Sequence, residues 1–195
     1  KAGKIFLRIV IVLLLIVGLL WALVQVPRVQ TFVAQKAASF LSSELNVNIS
    51  VERLEIDFWK QLVLKELYVE DRNADTLLRL GELDISINHF DLFEKDLGIF
   101  IHLINPHAKT YMLQDDTTFN YQFLINYFSS ADTASSESDW TFALSGVQVS
   151  KGRYSYDDYN RLKEPFSVDY FHLEADSVNL LVTDFVFNKD TTQIN

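Results

Sequence analysis

The chain has 195 residues, of which 49% are hydrophobic, and it carries a formal net charge of −9. The acidic balance argues against a nucleic-acid partner, because a protein of this charge repels phosphates. The absence of cysteine from the sequence excludes disulfides, thiolate metal sites and a thiol nucleophile within these residues. The sequence does not begin with methionine, so we expect it to be a piece of a longer protein.

The hydrophobic residues are concentrated at the N-terminus. Residues 9–24 are sixteen residues without a charge, and extending the run to 5–26 adds only Arg8 and Gln25. A helix of ~22 residues is about 33 Å long, which is enough to cross the ~30 Å hydrocarbon core of a bilayer. Trp21 stands near the end of the run, where an interfacial aromatic residue is expected. The run therefore predicts a transmembrane helix.

The charges flanking this run indicate its orientation. Lys1, Lys4 and Arg8 lie at its start, and all 26 acidic residues follow it. The positive-inside rule then places the N-terminus in the cytoplasm and the body on the far side of the membrane. Residues 1–27 are predicted to be a cytoplasmic basic end and a single-pass anchor. A cleaved signal peptide is the alternative, but its apolar region has only about 7–15 residues, so the length favours a retained anchor.

Residues 28–45 are predicted to form an amphipathic helix. Pro27 ends the anchor, since it cannot donate to the helical ladder, and it can open a new helix at the first position. Apolar residues then recur at three- and four-residue spacing. The members of this apolar stripe are Val29, Phe32, Val33, Ala37, Phe40, Leu41 and Leu45. We expect the helix to cap the end of a β-sheet; lying flat on the membrane is the alternative, and the two roles are compatible.

Residues 46–195 change to a two-residue period, with a one-residue phase change between Leu64 and Leu67. This pattern predicts strands with one apolar face, as in an antiparallel sheet. Residues 118–128 are predicted to form a short helix, and the Ser-, Asp- and Ala-rich residues 129–139 a flexible loop. The apolar residues of the strands beyond this loop are Phe142, Leu144, Val147, Val149, Tyr154, Tyr156, Phe166, Val168, Phe171 and Leu173.

A loose internal repeat runs through this β region. Residues 62–71, a polar turn and the strand 83–87 are echoed by residues 147–158, a polar turn and the strand 171–175. Each copy has an Asp at the end of its first strand and restarts alternation twelve or thirteen residues later. Repeated strand–turn–strand units favour an elongated sheet that grows by addition over a closed globule.

The sequence lacks the motifs of common enzymes. Its six glycines form no phosphate-binding loop and no Gly-x-Ser-x-Gly elbow, which argues against nucleotide and acyl-transfer chemistry. The carboxylate pairs at 115–116 and 157–158 fall in predicted turns, where Asp is favoured for bonding to the backbone. The histidines lie far apart or in an extended context unsuited to metal binding; they are His89, His102, His107 and His172. We therefore expect no catalytic residue, no metal and no cofactor.

Several sequence patterns follow the anchor in a characteristic order. They are Pro-x-Val-Gln-x-x-Val (27–33), Val-Asn-Ile (47–49), Leu-x-Leu-x-x-Leu-x-Val-x-Asp (62–71), Asp-Thr-Leu-Leu (75–78) before the strand 83–87, Phe-Asn-Tyr-Gln-Phe-Leu (119–124) and Val-x-Val-x-x-Gly-x-Tyr-x-Tyr-x-Asp (147–158). This series resembles the N-terminal region of the TamB family, within the wider AsmA-like group of envelope proteins. The likeness spans nearly the whole chain, and its motifs are mainly structural patterns.

The resemblance implies an elongated antiparallel β-sheet in the periplasm, bent into an open apolar groove and anchored in the inner membrane. Members of the family are implicated in phospholipid movement to the outer membrane and in outer-membrane biogenesis. They are also implicated in protein secretion and outer-membrane protein assembly with a β-barrel partner, as a translocation and assembly module. This chain is then expected to supply the anchor and the first part of the groove, residues 46–195, and to lack the C-terminal region that binds the barrel.

The strands suggest how a phospholipid would bind. An uncovered apolar sheet face forms a patch larger than monomers normally tolerate, and an acyl tail covering it gains ~0.8 kcal/mol for each buried CH₂. The candidate lipid-lining residues are Val47, Ile49, Val51, Leu62, Leu64, Leu67, Val69, Leu83, Ile85, Ile87, Ile99, Ile101 and Leu103. The alternative is that they pack in an ordinary core, against a second sheet or the 28–45 helix.

Two other functions stay open on the sequence alone. One is a scaffold that binds an outer-membrane barrel or its client by strand addition at a free sheet edge, without conducting lipid. The other is an anchored periplasmic enzyme, which requires an acidic or His-centred pocket that the sequence does not show.

Overall fold

The fold is that of a computed structural model, which describes residues 2–57, 61–131, 141–165, 167–183, 186–188 and 191–193. These residues form three helices and eight strands. The helices are α1 (Ala2–Val24), α2 (Pro27–Leu45) and α3 (Gln122–Ala131). The strands are β1 (Ile49–Asp57), β2 (Gln61–Glu70), β3 (Thr76–Asp91), β4 (Asp96–Met112), β5 (Thr141–Asp158), β6 (His172–Thr183), β7 (Val186–Asn188) and β8 (Thr191–Gln193).

The N-terminal helix α1 carries no charge from Ile9 to its end. Its segment Leu7–Val24 has a mean hydropathy of 2.9, and none of it is buried in the body. Within the described part of the chain, α1 is the one helix long and apolar enough to cross a membrane. The prediction of an apolar helix of membrane-spanning length is confirmed. Lys1, the first residue of the predicted basic end, lies outside the described residues.

Strands β1 to β6 form a single sheet in which the strand order follows the chain order. All neighbours are antiparallel except β4 and β5, which are parallel. The predicted wholly antiparallel sheet is therefore wrong at one pair, and the sheet is mixed. Parallel neighbours need a crossover of a dozen or more residues, and the segment between Met112 and Thr141, which contains α3, is long enough to provide it.

Some element boundaries differ from those predicted. The short helix predicted at 118–128 begins later, at Gln122, because Asp116 holds the preceding residues in turns by accepting the backbone and hydroxyl hydrogens of Thr118. Residues 129–131 of the predicted loop belong to α3, and the rest of that loop lies outside the described residues. Val168 and Phe171 precede β6, and Phe166 is not among the described residues.

The sheet has two ends, which we call proximal and distal. The proximal end carries the β1–β2 connection, the β3–β4 turn and the start of β5, and the distal end carries the β2–β3 and β5–β6 connections. α2 runs between them, because Gln30 near its start bonds to Ile56 and Ser42 near its end bonds to Ile49. The C-terminus of α1 therefore lies at the proximal end.

The alternation of side chains between the two sheet faces is interrupted at the same level in neighbouring strands. We call this level the crease. Glu66, Asn105, Lys151 and Ser177 adopt left-handed backbone conformations, with φ of 48°, 52°, 56° and 58°. They stand within about one residue of the same level in β2, β4, β5 and β6. At this level β3 has Gly81, where an added Cβ would approach the backbone of β4 to 3.2 Å. Apolar residues flanking the crease are consequently three positions apart instead of two.

α2 closes the outer edge of β1 with polar side chains. The Gln30 amide donates to the carbonyl oxygen of Ile56 at 3.1 Å and accepts from its N–H at 2.8 Å. The hydroxyls of Thr31 and Ser42 make the same pair of bonds with two further residues of β1, and Gln35 donates to two more carbonyls. The helix thus takes the place of a neighbouring strand, which removes an exposed sheet edge.

This arrangement turns much of the predicted apolar stripe of α2 outward. Phe32, Val33 and Phe40 are 59%, 57% and 60% exposed, whereas Ala38 and Leu45 are buried. The expectation that the stripe packs on the sheet holds only at the C-terminal end of the helix. The unpaired backbone groups of β1 require donors and acceptors, and only the polar side of α2 supplies them.

The core lies at the distal end of the sheet. Leu45 of α2, Val69 of β2, Leu77 of β3 and Phe123 of α3 form its buried centre. Helices α2 and α3 therefore cover one sheet face on the distal side of the crease. The proximal half of the same face lies outside this core.

Candidate functional site

One face of the sheet is apolar across all six strands on the proximal side of the crease. We call the residues that pair there the aliphatic rows. The first row is Leu54, Leu64, Leu83, Leu103, Val149 and Leu180. The second row is Ile56, Leu62, Ile85, Ile101, Val147 and Val182. A shorter third row is Ile87, Ile99 and Leu144.

The opposite face of these strands is largely polar. Lys65 and Glu82 form an ion pair at 3.5 Å, and the side-chain amide of Gln61 donates to Asp84 at 2.6 Å. Because successive residues of a strand point to opposite faces, the sheet is amphipathic in cross-section. Its polar face is a solvated surface. Its apolar face is stabilised only by contact with other apolar groups.

The aliphatic rows lack the burial expected of a closed core. None of their residues is fully buried, and Ile87 and Leu180 are 41% and 50% exposed. On the distal side of the crease, by contrast, Val69 and Leu80 are only 8% and 3% exposed. Among the described elements, helices pack on the sheet at α2 along β1 and at α3 over the distal core, and the short strand β7 contacts β5. Apart from this contact at β5, the rows form a single-layered apolar surface in the described part of the chain.

The dimensions of this surface suit a hydrocarbon chain. Six strands about 4.8 Å apart make a full row about 24 Å wide, and consecutive rows are about 6.8 Å apart. Acyl chains of one leaflet fill half of a ~30 Å hydrocarbon core, or about 15 Å. An extended acyl chain therefore fits along one row with room to spare.

The structure divides the thirteen candidate lining residues between the two sides of the crease. Eight belong to the aliphatic rows, namely Leu62, Leu64, Leu83, Ile85, Ile87, Ile99, Ile101 and Leu103. Val51 is half-buried on the same face beyond the crease. Four pack in the distal core, where helices already cover them, namely Val47, Ile49, Leu67 and Val69.

Sequence reasoning omitted several members of the rows. Leu54 and Ile56 lie in β1 on the proximal side of the crease. A one-residue phase change in β1, like the one seen in β2, would have identified them. Val147 and Val149 alternate plainly, but the sequence alone does not place β5 beside β4. In β6 the uninterrupted apolar run around Leu180 conceals the two-residue period.

Asp71, at the end of the first strand of the first repeat copy, organises the distal end. It is 1% exposed and its carboxylate accepts four hydrogen bonds, from the backbone of Asn73 and Asp75 and from the side chains of Tyr111 and Asn120. Burial disfavours its charged form, but these hydrogen bonds outweigh that effect, and the pKa of Asp71 lies below its usual value. Burial and the bond to Asp71 raise the pKa of Tyr111 to about 12. With its oxygens fully bonded, the carboxylate is a structural group and no general base.

The second repeat copy has the same turn. Asp158 is 6% exposed, and its carboxylate accepts the backbone N–H of Asn160 at 3.0 Å, as Asp71 accepts that of Asn73 at 2.8 Å. In both turns the Asp carbonyl accepts the backbone N–H three residues later. The rings of Tyr111 and Tyr159 meet edge to face at 5.9 Å and join the two turns. The loose sequence repeat therefore corresponds to two copies of one turn, which Tyr111 of β4 links.

The histidines occupy separate places in the structure. The ring of His102 bonds to the Ser150 hydroxyl at 2.9 Å, and that of His172 bonds to Asp169 at 2.8 Å. Within the ranges that the structure describes, no group of three or more His, Asp or Glu side chains is placed to hold a metal ion. The candidate site is thus a surface for apolar contact, built by strand register.

Comparison of the chain with protein-family models, with characterised proteins and with solved structures finds no match.

Proposed function

We propose that this chain is anchored in the inner membrane by α1, stands in the periplasm, and guides phospholipid acyl chains along the aliphatic rows toward the outer membrane. In this proposal the N-terminus lies in the cytoplasm, as its basic residues favour. The body is the start of an open groove of the kind that the resemblance to the TamB family implies. A β-barrel partner in the outer membrane then binds a C-terminal region that follows this chain.

The observation that carries this proposal is the pair of six-residue aliphatic rows, none of whose residues is fully buried in the described chain. Apolar patches of this kind usually mark a binding surface. A phospholipid fits because each buried CH₂ contributes ~0.8 kcal/mol, while the headgroup stays in water. Neighbouring rows of similar composition offer a tail similar free energies, which favours sliding over trapping.

Photo-crosslinking tests this proposal on adjacent residues that point to opposite faces. A photoreactive amino acid replaces Ile85 or Val147 on the apolar face, and Ser86 or Gln148 serves as the matched control on the polar face. Irradiation of cells is expected to give phospholipid adducts at the apolar positions and not at the controls. Adducts to protein alone at Ile85 and Val147, or equal lipid adducts at the four positions, would refute lipid guidance.

A second candidate function is a scaffold for outer-membrane protein assembly that binds its client by strand addition. The sheet edges favour a specific version of it, because α2 closes the β1 edge while no strand among the described residues pairs with the outer side of β6. Such a scaffold predicts client crosslinks from the exposed Asn179 of β6 and none from Gln35 of α2. It also predicts that client assembly survives Ile101→Lys, whereas lipid guidance predicts that this change abolishes lipid adducts at Ile85.

A further inference from the structure

The polar face of the sheet carries basic side chains side by side on three neighbouring strands. In the strand register Arg79 of β3 stands opposite His107 of β4, and His107 stands opposite Arg153 of β5. We call these three residues the basic row. Because neighbouring strands are about 4.8 Å apart, the backbones that carry the two arginines are about 10 Å apart, and the two positive charges repel each other. A negative charge placed between the arginines would relieve this repulsion.

A cavity of about 350 Å³ lies at the basic row, where the row meets the crease. Gly81 of β3, which has no side chain, stands at its edge, and so do Asn105 and Lys151, whose backbones are left-handed. Ligand sites in proteins have volumes of about 300 Å³ and above. The cavity is therefore large enough for a small molecule.

The charged residues that line this cavity are mainly positive, although the whole chain has a net charge of −9. Arg79, Lys151 and Arg153 supply three positive charges, against two negative charges from Glu66 and Asp176. The Nη2 atoms of Arg79 and Arg153 lie 3.4 and 3.1 Å from these two carboxylates. A guanidinium has five N–H donors in a planar fork, so an ion pair through one nitrogen leaves other donors open to a ligand.

Three further donor groups line the cavity. Within the part of the chain that the structure describes, the amine of Lys151, the ring of His107 and the side-chain amide of Asn105 make no hydrogen bond. Lys151 and Asn105 are exposed, and His107 is half-buried. Donors at this density, with a positive local charge, suit an anion that has several acceptor oxygens.

We propose that the cavity at the crease binds a phosphate group between the guanidinium groups of Arg79 and Arg153, with the Lys151 amine and the His107 ring as further donors. Phosphate fits because its oxygens accept the paired N–H groups of an arginine fork. The cavity lies on the sheet face opposite the aliphatic rows. A phospholipid whose tails lie on the rows has its headgroup on the other side of the sheet, so we assign the phosphate to a water-soluble phosphate monoester.

Nuclear magnetic resonance of the histidine rings tests this proposal. The full chain, labelled at histidine, is held in dodecyl maltoside micelles, which contain no phosphate. Inorganic phosphate is added at constant pH and ionic strength, and the signals of His107, identified with His107→Gln, are expected to shift until they saturate. His102 is the internal control, because its ring bonds to Ser150 at 2.9 Å outside the cavity, and its signals are expected to stay in place.

Substitutions show which side chains hold the anion. Arg153→Gln is expected to weaken phosphate binding about tenfold, because a hydrogen bond to a charged group is lost. Lys151→Asn removes the amine but keeps a residue that tolerates the left-handed backbone, and it should weaken binding to a similar extent. The matched control is Arg53→Gln, because Arg53 is paired with Glu55 at 3.0 Å and lies outside the cavity; its affinity should equal that of the native chain.

Two results overturn the proposal. One is a His107 signal that does not shift saturably with phosphate in the native chain. The other is an equal loss of affinity in Arg53→Gln, Arg153→Gln and Lys151→Asn, because binding then follows the net charge and not the cavity. Circular dichroism verifies that each variant is folded, and Lys151→Asn decides the question if Arg153→Gln does not fold.

The source of the phosphate is tested with two probes. Glycerol 3-phosphate added to the solution is expected to shift His107, whereas phosphatidic acid mixed into the micelles is expected to leave it unchanged. The reverse result, with the shift lost in Arg153→Gln, overturns the assignment to a soluble ligand and places a lipid headgroup in the cavity.

Discussion

The side chain of Gln30 is 4% exposed and makes three hydrogen bonds, one to the carbonyl of Val24 and two to the backbone of Ile56. A buried backbone group that loses its partner costs about 1–3 kcal/mol. From the sequence, Gln30 is one of several polar positions on an amphipathic helix and cannot be told apart from Gln35. Its role depends on the position of β1, which local periodicity does not encode.

Replacing Gln30 with an apolar side chain of similar size is expected to destabilise the fold. Gln30→Leu leaves the backbone of Ile56 without side-chain partners, so the free energy of unfolding should fall by about 2–4 kcal/mol. Urea titration of the full chain in detergent micelles, followed by circular dichroism, measures the change. Gln35→Leu is the matched control, because Gln35 is exposed and its bonds are 3.2 and 3.4 Å long; an equal loss in both variants would contradict a special role for Gln30.

The carboxylate of Asp71 should make the stability of the fold sensitive to acid. Its pKa is lower in the folded chain than in the unfolded chain, so its contribution is present above the ordinary Asp value of 3.8 and is lost as the pH falls below it. Denaturant titrations at a series of acidic pH values measure this loss. Asp71→Asn is expected to be less stable at neutral pH, and its free energy of unfolding should fall less steeply as the pH is lowered. An equally steep fall in the variant and the native chain would show that other carboxylates govern the acid sensitivity.

Tyr111 should have the opposite pH dependence. Its pKa rises from 10.0 to about 12 on folding, so the neutral phenol stabilises the fold below pH 10 and this contribution is lost between the two values. Ultraviolet absorbance of phenolate against pH measures the titration directly. Tyr111→Phe should remove one late-titrating phenol, and a profile identical to that of the native chain would refute the assignment.

At the scale of elements, the crease shows what local sequence does and does not encode. The three-residue step from Leu64 to Leu67 is visible in the sequence of β2 and predicts a phase change there. The alignment of that step with Asn105, Lys151 and Ser177 depends on strand register. Register is set by pairing across the sheet, so the line across five strands was not predictable from any one of them.

A β-branched residue at the crease is expected to destabilise its strand. Asn105 has a φ of 52°, a conformation that Asn and Gly tolerate and that costs other residues about 1–2 kcal/mol. Asn105→Val should therefore unfold at a lower denaturant concentration than the native chain, with a loss of about that size. Asn105→Gly is the control that removes the same side chain without the backbone strain, and equal losses in the two variants would refute the argument.

At the scale of the whole molecule, the sequence predicted a mainly β body behind an apolar helix, and the structure confirms this much. The parallel pairing of β4 with β5 was missed, because a sequence that reads as helix and loop does not reveal the end of the sheet to which the chain returns. Twelve of the thirteen candidate lining residues lie in strands, and Val47 lies just before β1. Their division by the crease into covered and uncovered groups required the packing of α2 and α3.

A charge in the aliphatic rows should affect lipid binding more than folding. Ile101 is half-buried, so the amine of Ile101→Lys can reach water along its flexible stem and the unfolding temperature should change little. Phospholipid co-purified in mild detergent should fall, as mass spectrometry measures. Leu80→Lys, at a position that is 3% exposed, is expected to cost several kcal/mol and prevent folding. Undiminished lipid in a folded Ile101→Lys chain would contradict the proposed role of the rows.

The order of the strands has a consequence for how this body is made. Because β1 to β6 lie in the sheet in the order in which they occur in the chain, each strand from β2 to β6 pairs with the strand synthesised just before it. α2 has already capped the first edge by then. A polypeptide that emerges stepwise can therefore assemble this sheet as it arrives, except that β5 can pair only after the crossover that precedes it has been made.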